Sequence, residues 1–408
     1  MSRKNLKLIS KILMLLFVIA FFVTSGYDKS EASERENDYL LEKQHILEKL
    51  EVEYYLDMAV TVENKISEMT VHEKVCQLIF IDPENLVKDV VTSNDGEAVT
   101  AVDEKVSDML ETYPVGGVML KAKNIKTDDQ LIKLISDMQD LSDTELFVAV
   151  DEEGGKVNRL MKTLGTTYID SMYTYKDDGG DTAFQNAETI GSDIAAYGFN
   201  LDFAPVADVW SSPYNTVIGE RAYSDSFTEA AELIPYAVQG FHASGVMCTL
   251  KHFPGHGDTA EDSHYGSAYV SSTLEELREN EFLPFEAGIE AGADFVMVGH
   301  LIVTDVDDVP ATLSKTIVTD VLRNELGFKG IIITDSFQME AITDNYSAGE
   351  AAVMTIKAGA DMVLEPENLK TAVEGLEEAV ASGEISEERL DESVRRIMVL
   401  KVKNGLDI

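Results

Sequence analysis

Residues 330–335 read Gly330-Ile331-Ile332-Ile333-Thr334-Asp335. Three consecutive isoleucines leave no polar face, and no charge appears before the aspartate. Such a run is expected as a strand buried on both sides, the condition of a parallel sheet covered by helices. Working outward, comparable short apolar runs lie at 76–81, 115–120, 146–150, 199–203, 247–250, 294–298 and 361–364. With 330–333 they make eight. Segments with helical spacing separate most of them, for example Leu131, Leu134, Ile135 and Met138. This alternation predicts an α/β fold, a single TIM-type (β/α)8 barrel, with an open doubly wound sheet as the alternative.

The flanks fit around that barrel. Arg3, Lys4, Lys7 and Lys11 precede an apolar run at 12–23, so residues 1–26 read as a signal peptide or an N-terminal membrane anchor. Residues 27–65 read as a charged spacer and a leading helix, and 66–408 as the barrel domain. Thr70-Val71-His72-Glu73 fits a capping box at a helix start. The acidic stretch 82–112 is long for a barrel connection and is expected to hold its own helix. Ser386 caps a last helix whose inner face is Leu390, Val394, Ile397 and Leu400, with Gly405 at the stop.

Composition excludes several classes. A formal net charge of −41 disfavours nucleic acid and anionic membrane surfaces, leaving membrane contact only through an uncleaved N-terminal segment. The two cysteines, Cys76 and Cys248, sit inside apolar runs and read as core thiols. No G-x-x-x-x-G-K-S/T motif and no G-x-G-x-x-G after a strand is present.

In a barrel the chemistry follows the carboxyl ends of the strands. There the chain places Asp151-Glu152-Glu153 and, further on, Arg159; then Asp208; Lys251-His252; Gly299-His300; and Asp335. Asp335 reads as a nucleophile or an electrostatic stabiliser, or else as a structural partner of Lys251 or Arg221. Three of the seven histidines, His252, His256 and His264, fall within residues 247–264, which end Asp262-Ser263-His264. His252 and His256 with Asp258 form a conceivable zinc set, but no HExxH pattern or cysteine pair accompanies them, so no metal or cofactor is expected.

The block K-H-F-P-G-H-G-D-T followed by D-S-H resembles the signature of glycoside hydrolase family 3, in its β-N-acetylhexosaminidase branch. Further similar blocks are G-G-V-M-L, D-E-E-G-G-K-V-N-R, F-A-P-V-A-D-V, V-I-G-E-R, I-I-T-D-S-F-Q-M and A-G-A-D-M-V-L. The resemblance implies Asp335 as catalytic nucleophile and His264 as general acid/base with Asp262 as its dyad partner. It implies Asp151, Arg159, Arg221, Lys251 and His252 as substrate-holding groups, with His256 a structural residue of the turn. The chain ends with the barrel, where many β-glucosidases of the family carry further domains. The expected activity is therefore that of an exported, retaining exo-β-N-acetylglucosaminidase on cell-wall fragments or chitin oligosaccharides. A phosphorylase using phosphate as acceptor, a β-glucosidase and a non-catalytic wall-binding protein are the alternatives.

Overall fold

The structure, a computed structural model, describes residues 49–50, 52–88, 98–257 and 268–408. The expected signal or anchor segment, 1–26, lies outside these residues. Among the described residues ten strands run in chain order: β1 Ile79–Ile81, β2 Gly117–Met119, β3 Phe147–Val150, β4 Leu201–Asp202, β5 Met247–Phe253, β6 Ala268–Val270, β7 Phe295–Val298, β8 Leu301–Val303, β9 Ile331–Thr334 and β10 Val363–Leu364. Eight of them form one parallel sheet in the order β10-β1-β2-β3-β4-β5-β7-β9. A parallel bridge from Ile333 to Met362 brings β9 round to β10. The sheet is thus a nearly closed (β/α)8 barrel, and β6 and β8 pair separately beside it.

The isoleucine run shows why the barrel forms. Ile331 and Ile333 join a core with Phe80, Phe147, Phe203 and Phe295, whereas Ile332 joins a second core with Val296 and Leu250. Alternate residues thus leave water on opposite faces of one strand. Each fully buried isoleucine contributes on the order of 1.5–3 kcal/mol relative to exposure. Two aromatic pairs, Phe80 with Phe203 and Phe147 with Phe295, have ring centroids 5.3 Å apart.

Strand limits differ from the apolar runs in places. The Thr70–Glu73 capping box forms, and the helix it starts, Val71–Gln77, takes in Cys76. The run at 76–81 is therefore divided between a helix end and β1. In the opposite sense, β5 continues through Lys251 and His252 to Phe253, so charged residues belong to the strand itself. The leading helix spans 52–68 and buries Met58, Val62 and Ile66 in the core, so packing begins ahead of residue 66. Helices Pro83–Val87 and Glu104–Thr112 occupy the described parts of the acidic stretch. Both cysteines are buried and unbridged.

The last helix, Glu387–Lys403, buries Leu390, Val394, Ile397 and Leu400, and Ser386 caps it. It also carries Lys401 to the barrel floor, where Nζ lies 2.9 Å from Gln77 Oε1 and 5.1 Å from the Phe147 ring centroid. Burial pulls its pKa down to about 7, and Lys65 acts in the same direction. An unfolded lysine titrates near 10.4. Between about pH 7 and 10 the unfolded chain therefore holds a proton that the folded chain lacks, so this residue makes stability rise with pH. The stability difference between Lys401→Met and the parent should favour the variant most below pH 7 and shrink toward pH 10, as read by urea unfolding at several pH values.

Candidate active site

The carboxyl ends of the barrel strands open into a cavity of about 700 Å³. Asp335 lines it together with Asp151, Arg159, Arg221, Lys251 and His252. Six of the expected site residues, drawn from separate parts of the chain, are thereby brought to one place. Asp262 and His264, like Asp258, lie outside the described residues.

Beyond β3 the side chains keep their alternation. Asp151 and Glu153 line the cavity, and Glu152 between them turns the other way. Glu152 accepts the backbone N–H groups of Arg159, Leu160 and Met161 at 2.5, 3.0 and 3.1 Å. That acid holds the start of helix Leu160–Leu164 and sets the position of Arg159, whose Nη2 donates to Asp151 Oδ2 at 3.2 Å. Lys251 Nζ lies 2.9 Å from Asp151 Oδ1 and 2.5 Å from Glu153 Oε1. Arg221 donates through Nε and Nη2 to the two oxygens of Glu153 at 2.8 and 2.9 Å. The result is a continuous chain of alternating charge, Arg159–Asp151–Lys251–Glu153–Arg221.

Burial alone would push the Glu153 carboxyl up, but Arg221 and Lys251 together hold it well below the usual carboxylate range. Burial likewise works against the Lys251 ammonium, and Asp151 and Glu153 more than offset it, raising its pKa. Lys251 and Arg221, the structural partners considered for Asp335, are thus paired with Asp151 and Glu153. Asp335 continues β9: its N–H donates to Val298 O at 2.8 Å, and its Oδ1 accepts the Ser336 N–H at 2.7 Å.

Buried Asp208 organises the β5 exit. Its Oδ2 takes the His252 N–H at 3.0 Å and sits 2.6 Å from His252 Nδ1, and its Oδ1 takes the His256 N–H at 2.7 Å. Burial would raise this carboxyl, and His252 beside it holds it below its ordinary value. With Nδ1 committed to Asp208, Nε2 is the nitrogen His252 has for a ligand. Gly257 packs so closely that a Cβ would lie 1.6 Å from Val209 O, which explains the second glycine of P-G-H-G. His256 is part of this turn through its backbone, whose carbonyl accepts Asn215 Nδ2 at 2.6 Å. Its ring also lines the cavity, and burial keeps its pKa below the ordinary imidazole value despite Asp208 nearby.

Residues following β1, β2 and β10 add a second charged cluster. Lys121 Nζ lies 3.0 Å from Asp82 Oδ2 and 2.5 Å from Glu365 Oε1, and both Lys121 and Glu365 line the cavity. Burial pushes the Glu365 carboxyl up to about 7 against the pull of Lys121. Glu153, quoted at the strand end but given no role there, stands two residues from Asp151 and so on the same face. Glu365 follows β10 as Asp335 follows β9, so the strand-end rule applies to it equally. Among the described residues, the His/Cys/acid grouping compact enough to share an ion is His242, Cys248 and Asp294. None of these lines the cavity.

A nearly closed parallel barrel with paired cations and a carboxylate at its strand ends can hold a polar ligand and meet developing positive charge. Residues 62–400 match the glycosyl hydrolase family 3 N terminal domain. The chain belongs to this family. Beta-hexosaminidase A of Pseudoalteromonas piscicida is 33% identical over 336 residues, 75% of this chain and 56% of that protein. A beta-hexosaminidase of Xylella fastidiosa (strain M23) is 34% identical over 274 residues, 66% of this chain and 81% of that protein. The solved glycoside hydrolase family 3 beta-N-acetylglucosaminidase of Paenibacillus sp. str. FPU-7 is similar with a TM-score of 0.76 at 36% identity, over 83% of this chain and 64% of that one. The chain therefore spans little more than half of the first relative and about two thirds of the solved one.

Removing Glu153 leaves two buried cations without their shared acid. Glu153→Ala should lower unfolding stability by about 3–5 kcal/mol, measured by chemical denaturation.

Proposed function

We propose that this chain is a retaining exo-β-N-acetylglucosaminidase. Asp335 attacks the anomeric carbon to form a glycosyl-aspartate, and His264 protonates the leaving oxygen. His264, oriented by Asp262, then takes the proton from the water that releases the sugar. The observation that carries this reading is the placing of Asp335 in one cavity with the paired cations Lys251, Arg159 and Arg221. Asp151, Arg159, Arg221, Lys251 and His252 hold the hydroxyl and acetamido groups, supplying the positioning on which the rate depends. An imidazole's ordinary pKa of about 6.5 suits a group that must give and take a proton near neutrality. The names of the similar proteins support an N-acetylhexosaminide as substrate. The basic and apolar residues at 3–23 support export, and with it cell-wall fragments or chitin oligosaccharides as natural substrates.

Turnover of aryl β-N-acetylglucosaminide and aryl β-glucoside by the full chain, with and without inorganic phosphate, tests this. Hydrolysis of the GlcNAc substrate should dominate, with free GlcNAc as product. Asp335→Asn should lower kcat/KM by roughly 10³-fold or more, and His264→Ala by about 10²–10⁴-fold. Glucoside preference, a sugar 1-phosphate as the main product, or full activity in Asp335→Asn would defeat the reading.

A further inference from the structure

Glu365 is an expensive residue to keep. It is 2% exposed, it stands at φ +50° where side chains other than glycine are uncommon, and burial opposes its charge. Left-handed backbone at such a residue is strained and persists only where the surroundings over-determine it. Here they do. Its N–H donates to Phe80 O of β1 at 2.6 Å, its Oε1 meets Lys121 Nζ, and its Oε2 accepts the Ser336 hydroxyl at 2.7 Å.

Ser336 is the residue after Asp335, and it is tied on several sides. Its N–H donates to Asp335 Oδ1 at 2.7 Å. Its carbonyl oxygen lies 2.9 Å from His300 Nε2, and its hydroxyl oxygen receives the Gln338 N–H at 3.3 Å while donating to Glu365. The place matters as much as the bonds. On its β7 side, β9 is paired residue by residue from Ile331 to Thr334, and the Asp335 N–H extends the ladder. On its β10 side the pairing is a single bridge at Ile333–Met362 with a few flanking hydrogen bonds. The seam beside Asp335 is thus held by a bridge and a few hydrogen bonds instead of a continuous ladder, and the Glu365–Ser336 hydrogen bond adds a side-chain tie across it.

We propose that Glu365 is a positioning residue for Asp335, acting through Ser336, with Lys121 as the counter-charge that keeps its carboxylate in place. The inference rests on the reading of Asp335 as the nucleophile. The groups assigned to hold the sugar, Asp151, Arg159, Arg221, Lys251 and His252, come from β5 and the segments after β3 and β4, not from the β9–β10 seam. Loosening the brace should therefore disturb the attack and leave binding nearly intact.

The test is steady-state kinetics of the full chain on an aryl β-N-acetylglucosaminide, for the parent, Asp335→Asn, Ser336→Ala, Glu365→Ala and Glu365→Gln. Displacing a reacting group by about 1 Å costs up to 10²-fold. Glu365→Ala and Ser336→Ala should each lower kcat by about 10–100-fold with KM within about threefold. Glu365→Gln should recover at least about tenfold over Glu365→Ala, because a carboxamide keeps a hydrogen bond to Ser336 in either orientation. If Glu365→Ala fails to fold, Ser336→Ala, which removes one hydroxyl, decides. An unchanged kcat in both variants overturns the proposal, as does a raised KM at constant kcat, which would make Glu365 a substrate-binding group. Equal losses in Glu365→Ala and Glu365→Gln overturn it as well. An active Asp335→Asn would instead overturn the reading of the nucleophile itself, whatever Glu365 does.

Discussion

The cavity depends on a neutralisation problem solved in the barrel interior. Lys251 and Glu153 are buried side by side, and Asp151, Arg159 and Arg221 pair with them at the cavity wall, so no buried charge is left without a partner of opposite sign. Alternating the signs along one chain lets each member be stabilised by its neighbours. Three positive groups face two negative ones in this chain, and Asp335 lines the same cavity. The side chains assigned to the sugar are thus fixed by one another before any ligand arrives, which is what preorganisation requires.

A second device holds the polar strand ends in place. Buried acids that do not line the cavity take backbone N–H groups: Glu152 at the start of helix Leu160–Leu164, and Asp208 at the turn holding His252 and His256. These acids convert loop segments into fixed geometry, so residues that follow a strand behave almost as part of it. Asp202, in β4, belongs to the same layer: its Oδ1 accepts the Glu152 N–H, and burial raises its carboxyl pKa well above the ordinary value.

Much of this was legible in the sequence because it obeys simple periodicities. Two-sided burial wrote the isoleucine run of β9, helical spacing wrote Leu131 to Met138, and caps were visible at Thr70 and Ser386. The eight runs fitted a barrel or an open doubly wound sheet, and the bridge that brings β9 round to β10 decides for the barrel. Limits were less legible, since Cys76 is as apolar as a strand residue yet closes a helix turn already begun at Thr70. Charged Lys251 and His252 looked like loop residues, but in a barrel a strand's inner face turns polar near the mouth while its ladder continues. What stayed hidden were pairings between distant residues. Nothing local tells that Lys121 meets Glu365 or that Glu153 serves two cations, because those contacts exist only once the sheet has curled round.

That curling has a consequence for how the molecule comes into being. The ring is completed by Ile79 pairing with Val363 and Phe80 with Leu364, partners drawn from opposite ends of the barrel sequence. Contacts of such separation form late, since the loop entropy must be met before they reward the chain. A nascent chain that has already made Asp335 still lacks β10, and with it the residue that meets Lys121. The side of the cavity that Glu365 completes is therefore encoded last, and a chain cut short of β10 leaves Asp335 on an unfinished edge.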